Sequence, residues 1–266
     1  MTSDVTDDAF LGGALQILQP KAGYRAGLDA VLLAAAVPLR PGQAAHVLDA
    51  GAGTGVVGLA VAQRFPNARV TLAERDAGLI ALALRNVERN GLTGRVHAVA
   101  MDIARPRGPR APLHAQAGTF DHALANPPYH AEGKGTPAGT PLKAAAHAMP
   151  EGTLESWVQF LEMMLRPGGT ATMIHRADAL AEVLGALGGR FGGLVVFPLF
   201  ARSGQVANRI LVQGTKGSRA PLRLREGAAL HEAGGQFRPQ IEAILRHGAP
   251  LPLSEDAVRV TPGESR

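Results

Sequence analysis

Four consecutive residues, Asn126-Pro127-Pro128-Tyr129, combine chemical types that folding alone does not call for. Asn126 carries a side-chain carbonyl. The carbonyl of Pro127 has no obligatory ladder partner, because Pro128 lacks an N–H with which to continue one. Two acceptors held close together can take both protons of one planar –NH2 group. That polarises the nitrogen and favours the pyramidal geometry it needs as a nucleophile. Tyr129 offers a flat face on which a base can stack. The prolines keep the arrangement rigid, which limits reorganisation during reaction. A proline-rich turn that merely ends a strand, with Tyr129 as local packing, is the plain structural alternative. The company the tetrapeptide keeps argues against it.

That company begins with Asp49-Ala50-Gly51-Ala52-Gly53-Thr54-Gly55, a glycine turn between an apolar run and a helical pattern. Glycines let the backbone approach a ligand closely, and a helix N-terminus offers unpaired N–H groups. Glu74, with Arg75 beside it, ends the next apolar run, where its carboxylate could accept both hydroxyl protons of a ribose. Asp102 follows a third run and could accept from an adenine amine, with Ile103 packing on the ring. The segment Gly53-Thr54-Gly55-Val56-Val57-Gly58 also satisfies the G-x-G-x-x-G dinucleotide pattern, and Glu74 stands 21 residues after Gly53, close to the ~20 expected of that fingerprint. A nicotinamide-dependent oxidoreductase is therefore live on this segment. Two features oppose it: the match falls late relative to the strand, and the fourth strand ends in the tetrapeptide.

These loops need a scaffold, and the hydropathy pattern supplies one. Residues 46–50, 69–74, 96–100, 121–125, 170–174, 194–200 and 209–213 read as strands. Helical patterns lie between them. One follows Gly55 to about Phe65 and stops at Pro66. A second is capped by Asp76 and ended by Asn90-Gly91. A third is capped by Thr153, with Leu154, Trp157, Val158, Leu161 and Leu165 on one face, where Trp157 reads as core. A fourth spans about 177–187. The alternation implies an α/β fold, a parallel sheet covered on both faces, with ligand loops at the carboxyl ends of its strands. Residues 104–119 and 130–152 resist assignment. The second stretch follows the tetrapeptide directly and reads as a substrate loop or lid.

Taken together, Asp49 to Gly55, Glu74, Asp102 and Asn126-Pro127-Pro128-Tyr129 resemble the motifs of class I S-adenosylmethionine-dependent methyltransferases of the amino type. The stretch Gln19-Pro20-Lys21-Ala22-Gly23-Tyr24-Arg25-Ala26-Gly27-Leu28-Asp29 and the following apolar residues to Ala35 are similar to the element that precedes the glycine loop in the bacterial tRNA(Val) adenine-N(6) methyltransferase family. The resemblance runs from about residue 11 to 247, including Phe237-Arg238-Pro239. It implies a Rossmann-like seven-stranded, mostly parallel sheet with an antiparallel last strand and helices on both faces. It implies S-adenosyl-L-methionine as cofactor, held by Arg25, Gly27, Asp29, Asp49, Gly51, Gly53, Thr54, Gly55, Glu74, Arg75, Asp102, Ile103 and Asn126. It implies catalysis by Asn126, Pro127, Pro128 and Tyr129 on the exocyclic amine of a tRNA adenine. For Arg25, Gly27 and Asp29 the alternative is a simple helix start with an N-terminal acid. The same tetrapeptide also occurs in enzymes that methylate protein glutamine, and a related one serves guanine amines of ribosomal RNA.

Composition sets the bounds. Hydrophobic residues make up 46% of the 266, enough for one α/β domain rather than two. We expect residues 1–40 to form an N-terminal extension and helix, 41–215 the catalytic core, and 216–266 a basic tail with a short helix. With no cysteine there is no thiolate ligand or nucleophile. The nine histidines show no metal-ligand spacing, so no metal is expected. No apolar run approaches a membrane span, and the acidic start lacks a secretory pattern, so the expected location is the cytoplasm. A net charge of +5 and a pI of about 10.2 suit a polyanionic partner. Between residues 202 and 225 there are six cations and no acid. Arg202, Arg209, Lys216 and Arg219 of that run, with Lys134 and Lys143 after the tetrapeptide, are the candidate RNA contacts. Arg105, Arg107 and Arg110 form another cluster. A non-catalytic RNA-binding module is the remaining alternative.

Overall fold

The computed structural model describes residues 4–23, 25–103, 113–128 and 153–253. Eleven strands and six helices alternate along the described chain, with short 3-10 turns between some of them. In order they are β1 (Val5–Phe10), β2 (Leu15–Pro20), α1 (Leu28–Ala35), β3 (Ala45–Ala50), α2 (Val56–Arg64), β4 (Ala68–Glu74), α3 (Ala77–Arg89), β5 (Val96–Ala100) and β6 (Phe120–Ala125). They continue with α4 (Leu154–Met164), β7 (Leu165–Arg176), α5 (Leu180–Leu187), β8 (Phe191–Arg202), β9 (Ala207–Lys216), β10 (Arg223–Leu224), β11 (Ala228–His231) and α6 (Pro239–His247). Among the described residues no helix is long and apolar enough to cross a membrane.

The main sheet runs β10-β8-β9-β7-β6-β3-β4-β5, with β11 also on β8. Seven of its strands, β3 to β9, form the expected core. Only β9 runs against its neighbours, pairing antiparallel with both β7 and β8. Two short strands beyond the expected seven, β10 and β11, extend it along the edge of β8. Residues expected to be a basic tail thus partly join the sheet. A separate hairpin, β1 with β2, precedes α1.

Each sheet face is buried, and successive residues alternate between two apolar clusters. Val47, Val70, Leu124 and Leu211 join α1, α2 and α6 on one face. Leu48, Ala73, Ala123 and Val212 join α4 and α5 on the other. Strands β3, β4, β5, β6, β7 and β8 all point their carboxyl ends to one edge. Parallel strands need helical crossovers, and the loops leaving that edge are where such sheets bind ligands. β7 begins at Leu165, five residues earlier than the apolar pattern suggests. Its register shifts against β6 between Phe120 and His122, so Arg166-Pro167-Gly168-Gly169 is absorbed as an irregularity.

His122 lies 8% exposed on β6, with Nδ1 2.7 Å from Thr170 Oγ1. Its Nε2 has no hydrogen-bond partner among the described residues. Burial, the largest cause, pushes its pKa down to about 4. Below the ordinary value of 6.5 the unfolded chain binds a proton that the native state refuses until about pH 4. Native stability therefore falls as pH drops through that window. The expected loss attributable to His122 is about 3 kcal/mol at pH 4. Urea unfolding of the wild type and His122→Asn across pH 4–7 checks it, because the difference between the two cancels every other titrating group.

Candidate active site

Three loops converge at the carboxyl edge. The first leaves β3. Gly51, Gly53 and Gly55 have φ of 69°, 56° and 90°, the left-handed region that costs a side-chain-bearing residue about 1 kcal/mol or more. The N–H groups of Gly51 and Ala52 both donate to the Ala73 carbonyl, at 2.8 and 3.0 Å, which pins the loop to β4. A Cβ at Gly58 would collide with Leu72 and with Val70 Cγ1, so the start of α2 can lie flat on β4 only with glycine there.

Asp49 and Glu74 hold this loop from inside. Asp49 is 2% exposed, and its Oδ2 accepts the Gly58 N–H at 2.9 Å. Burial, with a smaller push from the nearby Glu74 carboxylate, raises the Asp49 pKa to about 7. Glu74 Oε2 accepts the Gly53 N–H at 2.9 Å, while Oε1 accepts those of Arg75 and Asp76 at 2.8 and 2.9 Å. A carboxylate offers about four acceptor positions. Three are filled by backbone, leaving one on Oε2. The expectation of two ribose hydroxyls on Glu74 is thereby reduced to one strong acceptor position. Arg75 itself is exposed.

The second loop leaves β5. Its Met101 N–H donates to Glu74 O at 2.8 Å, which sets Asp102 and Ile103 beside the end of β4. Ile103 is 5% exposed and packs in the cluster that contains Met101 and Ala73, while Asp102 is half-buried. The third loop is the tetrapeptide. Ala50 and Ala125 are register partners in the parallel β3–β6 pair. Gly51 and Asn126 therefore leave adjacent strands side by side, roughly one strand spacing (~4.8 Å) apart. Pro127 is buried, and Asn126 and Pro128 are half-buried. Tyr129, Lys134 and Lys143, and the cluster Arg105, Arg107 and Arg110, lie outside the described residues.

Asn86 on α3 and Asn90 at its C-terminal cap matter here; Asn90-Gly91 reads in the sequence only as a helix end, and nothing there singles out Asn86. Asn86 is fully buried. Its Oδ1 accepts the Leu18 N–H at 2.8 Å, and its Nδ2 donates to the Leu18 and Thr54 carbonyls at 3.0 Å each. Asn90, one turn later, repeats the pairing on Gln16 at 2.9 Å in both directions. Spacing of i, i+4 on a helix meets i, i+2 on a strand, so the two side chains hydrogen-bond β2 as a neighbouring strand would. Asn86 thereby joins the hairpin, α3 and the glycine loop at Thr54. We expect Asn86→Leu to cost about 3 kcal/mol, since three buried backbone groups lose their partner. Thermal or urea unfolding reads the loss, and cofactor affinity should fall with it.

The segment before α1 is tied to the hairpin rather than free. Arg25 donates to Asp8 Oδ2 and Thr6 Oγ1, at 2.6 Å each, and to Pro20 O at 2.8 Å. Gln19, 1% exposed, brackets the Ala26 backbone and reaches Asp8 at 2.9 Å. Gly27 caps α1, and Asp29 in its first turn pairs with Arg209 Nε at 2.9 Å.

The basic run does not form one surface, which corrects the expectation drawn from its continuity. β9 is antiparallel, so Arg202 and Arg209 lie at the carboxyl edge while Lys216 and Arg219 fall at the opposite edge. Seven residues of strand separate Arg209 from Lys216, about 23 Å. Lys216 also donates to the Glu162 and Leu165 carbonyls at the end of α4, at 2.6 and 2.7 Å, and so serves the fold. Arg202 and Arg219 are exposed.

The arrangement is a glycine cradle, two acids at successive strand ends and an amide beside the cradle. Its donor set fits a nucleoside bearing an amino acid tail. A profile of the methyltransferase small domain matches residues 28–155. A tRNA1(Val) (adenine(37)-N6)-methyltransferase from Shewanella halifaxensis is 30% identical over 197 residues, covering 73% of this chain and 76% of that protein. The chain belongs to the family of class I S-adenosylmethionine-dependent methyltransferases. Within this methyltransferase family a release factor glutamine methyltransferase from Chlorobaculum tepidum is also 30% identical, over 156 residues, 56% of this chain and 52% of its own length. The chain spans 63% of the length of a further relative, the Shewanella sediminis tRNA1(Val) (adenine(37)-N6)-methyltransferase. A crystal structure from Agrobacterium tumefaciens, described as a predicted O-methyltransferase, superimposes with a TM-score of 0.69 at 30% identity. It covers 84% of this chain and 98% of that one. The methyltransferase cofactor of this family is S-adenosyl-L-methionine.

Proposed function

We propose that this protein transfers a methyl group from S-adenosylmethionine to the exocyclic amine of an adenine in tRNA, acting in the cytoplasm with residues 41–215 as its catalytic core. The observation that carries this reading is the register that sets Asn126 beside Gly51. An acceptor amine held by the tetrapeptide then lies next to the cradle that takes the donor.

Bound S-adenosylmethionine supplies a methyl group on a sulfonium leaving group. The Asn126 side-chain carbonyl and the Pro127 carbonyl accept the two amine protons and aim the nitrogen lone pair at that methyl. With the donor bound, these two carbonyls would hold the amine in place until its surplus proton passes to water. Tyr129 stacks on the base. Gly51, Gly53, Thr54 and Gly55 cradle the donor, Asp49 holds their loop from beneath, and Glu74 accepts a ribose hydroxyl. Asp102 would accept from the donor adenine, and Ile103 would pack on its ring. Arg25, Gly27 and Asp29 border the donor from the α1 side. An adenine in an anticodon loop is already partly unstacked, which lowers the cost of extracting it. Arg202 and Arg209, at the same edge as the tetrapeptide, grip phosphates, and tRNA binding then weakens steeply with salt.

The glutamine side chain poses the same chemical problem, and the Chlorobaculum relative supports keeping it as the second reading. Transfer of labelled methyl from S-adenosylmethionine decides between them. Total tRNA, ribosomal RNA and a release factor are offered separately, and the products digested. Label in N6-methyladenosine from tRNA supports the proposal. Label only in glutamine, or only in guanosine, overturns it.

A further inference from the structure

Trp157 is the chain's single tryptophan. Its spacing on α4 reads as core, yet it is only partly buried, at the margin of its apolar cluster. Its ring lies against Gly51. A Cβ on Gly51 would overlap the indole at Cη2, and would come 2.9 Å from Cζ3 and 3.6 Å from Cζ2. Gly51 is therefore constrained twice, by its φ of 69° and by the indole above it. Gly51 leaves β3 beside Asn126, and Met101 and Ile103 share the cluster that Trp157 joins. One aromatic ring thus touches the first glycine of the cradle at the point where the cradle meets the tetrapeptide.

We propose that Trp157 is a positioning residue of the donor site, and that its indole holds the glycine loop in the shape that receives the methionine end of S-adenosylmethionine. The inference rests on the cofactor assignment above and deepens it. A loop with three left-handed glycines has many alternative conformations, so a rigid planar ring packed on its first glycine restricts it before binding. Preorganisation of that kind raises affinity by lowering the ordering cost.

S-adenosylhomocysteine and S-adenosylmethionine binding by calorimetry, with the emission of the single tryptophan followed in parallel, tests this. The comparison is wild type, Trp157→Phe and Trp157→Ala, each checked for thermal unfolding. Expected results are a saturable change in Trp157 emission, about tenfold weaker binding in the alanine variant, and recovery to within about threefold by phenylalanine. The KM for S-adenosylmethionine should rise while kcat moves less. A lower melting temperature with affinity unchanged in the alanine variant would mean ordinary core packing and overturn the inference. Failure of the wild type to bind either ligand would instead sink the cofactor assignment on which it rests.

Discussion

Replacing Asn126 by alanine should lower kcat for methyl transfer about 10²- to 10³-fold while S-adenosylhomocysteine still binds within about threefold of wild type. The magnitude is that of removing one preorganised polar group from a reacting centre. Its reason is local. With the side-chain carbonyl gone, the acceptor amine keeps only the Pro127 carbonyl, and its lone pair stays conjugated with the ring. Binding of the donor depends chiefly on the loop after β3, which Asp49 and Glu74 hold through the Gly58 and Gly53 N–H groups. Single-turnover kinetics separates the two effects, because a ground-state binding defect raises KM and leaves kcat alone. Asn126→Asp should be nearly as damaging: it keeps an acceptor but adds a negative charge to the sheet edge that already carries the buried carboxylates of Asp49 and Glu74. A variant that turned over at the wild-type rate would remove the tetrapeptide from the chemistry.

Glu74 should be the most sensitive residue of the donor site. Its carboxylate accepts from Gly53, Arg75 and Asp76, so Glu74→Ala both deletes an acceptor for the ligand and orphans three backbone donors. We expect donor affinity to fall about 10²-fold or more, with about 2–4 kcal/mol of lost stability. Glu74→Gln is informative because its shape is conserved. One amide oxygen can serve Arg75 and Asp76, but the –NH2 group then faces the Gly53 N–H, donor against donor. The glutamine variant should therefore lose donor affinity almost as severely while retaining more stability. Calorimetry with S-adenosylhomocysteine, together with urea unfolding, measures both.

Much of this site is visible in the sequence because its chemistry is local. A glycine loop between strand and helix, an acid ending the next strand and an amide followed by two prolines each occupy a few consecutive residues. What sequence reasoning missed depends on pairings across the fold. Asn86 sits on the buried side of α3, where its spacing from Asn90 looks like an ordinary polar pair. Its partners Leu18 and Thr54 are 68 and 32 residues away. The hairpin of β1 and β2 is obscured by Asp4, Asp7 and Asp8, and two of these are matched by arginines, Arg89 and Arg25, far along the chain. The basic run misled for a geometric reason. Charges adjacent in sequence are carried to opposite edges once the strand between them is fully extended, as β9 is. Trp157 shows the converse: a helical face that reads as core can still reach a loop at the sheet's edge.

Quantifying modified nucleosides by mass spectrometry in tRNA from cells with and without this protein bears most directly on the proposed activity. The geometry around Asn126 and Pro127 calls for N6-methyladenosine to disappear from one tRNA species when the protein is absent, and to return with the wild-type chain but not with Asn126→Ala. Unchanged N6-methyladenosine in the tRNA of cells lacking the protein, with methylation lost from a release-factor glutamine or an rRNA guanine instead, would contradict it.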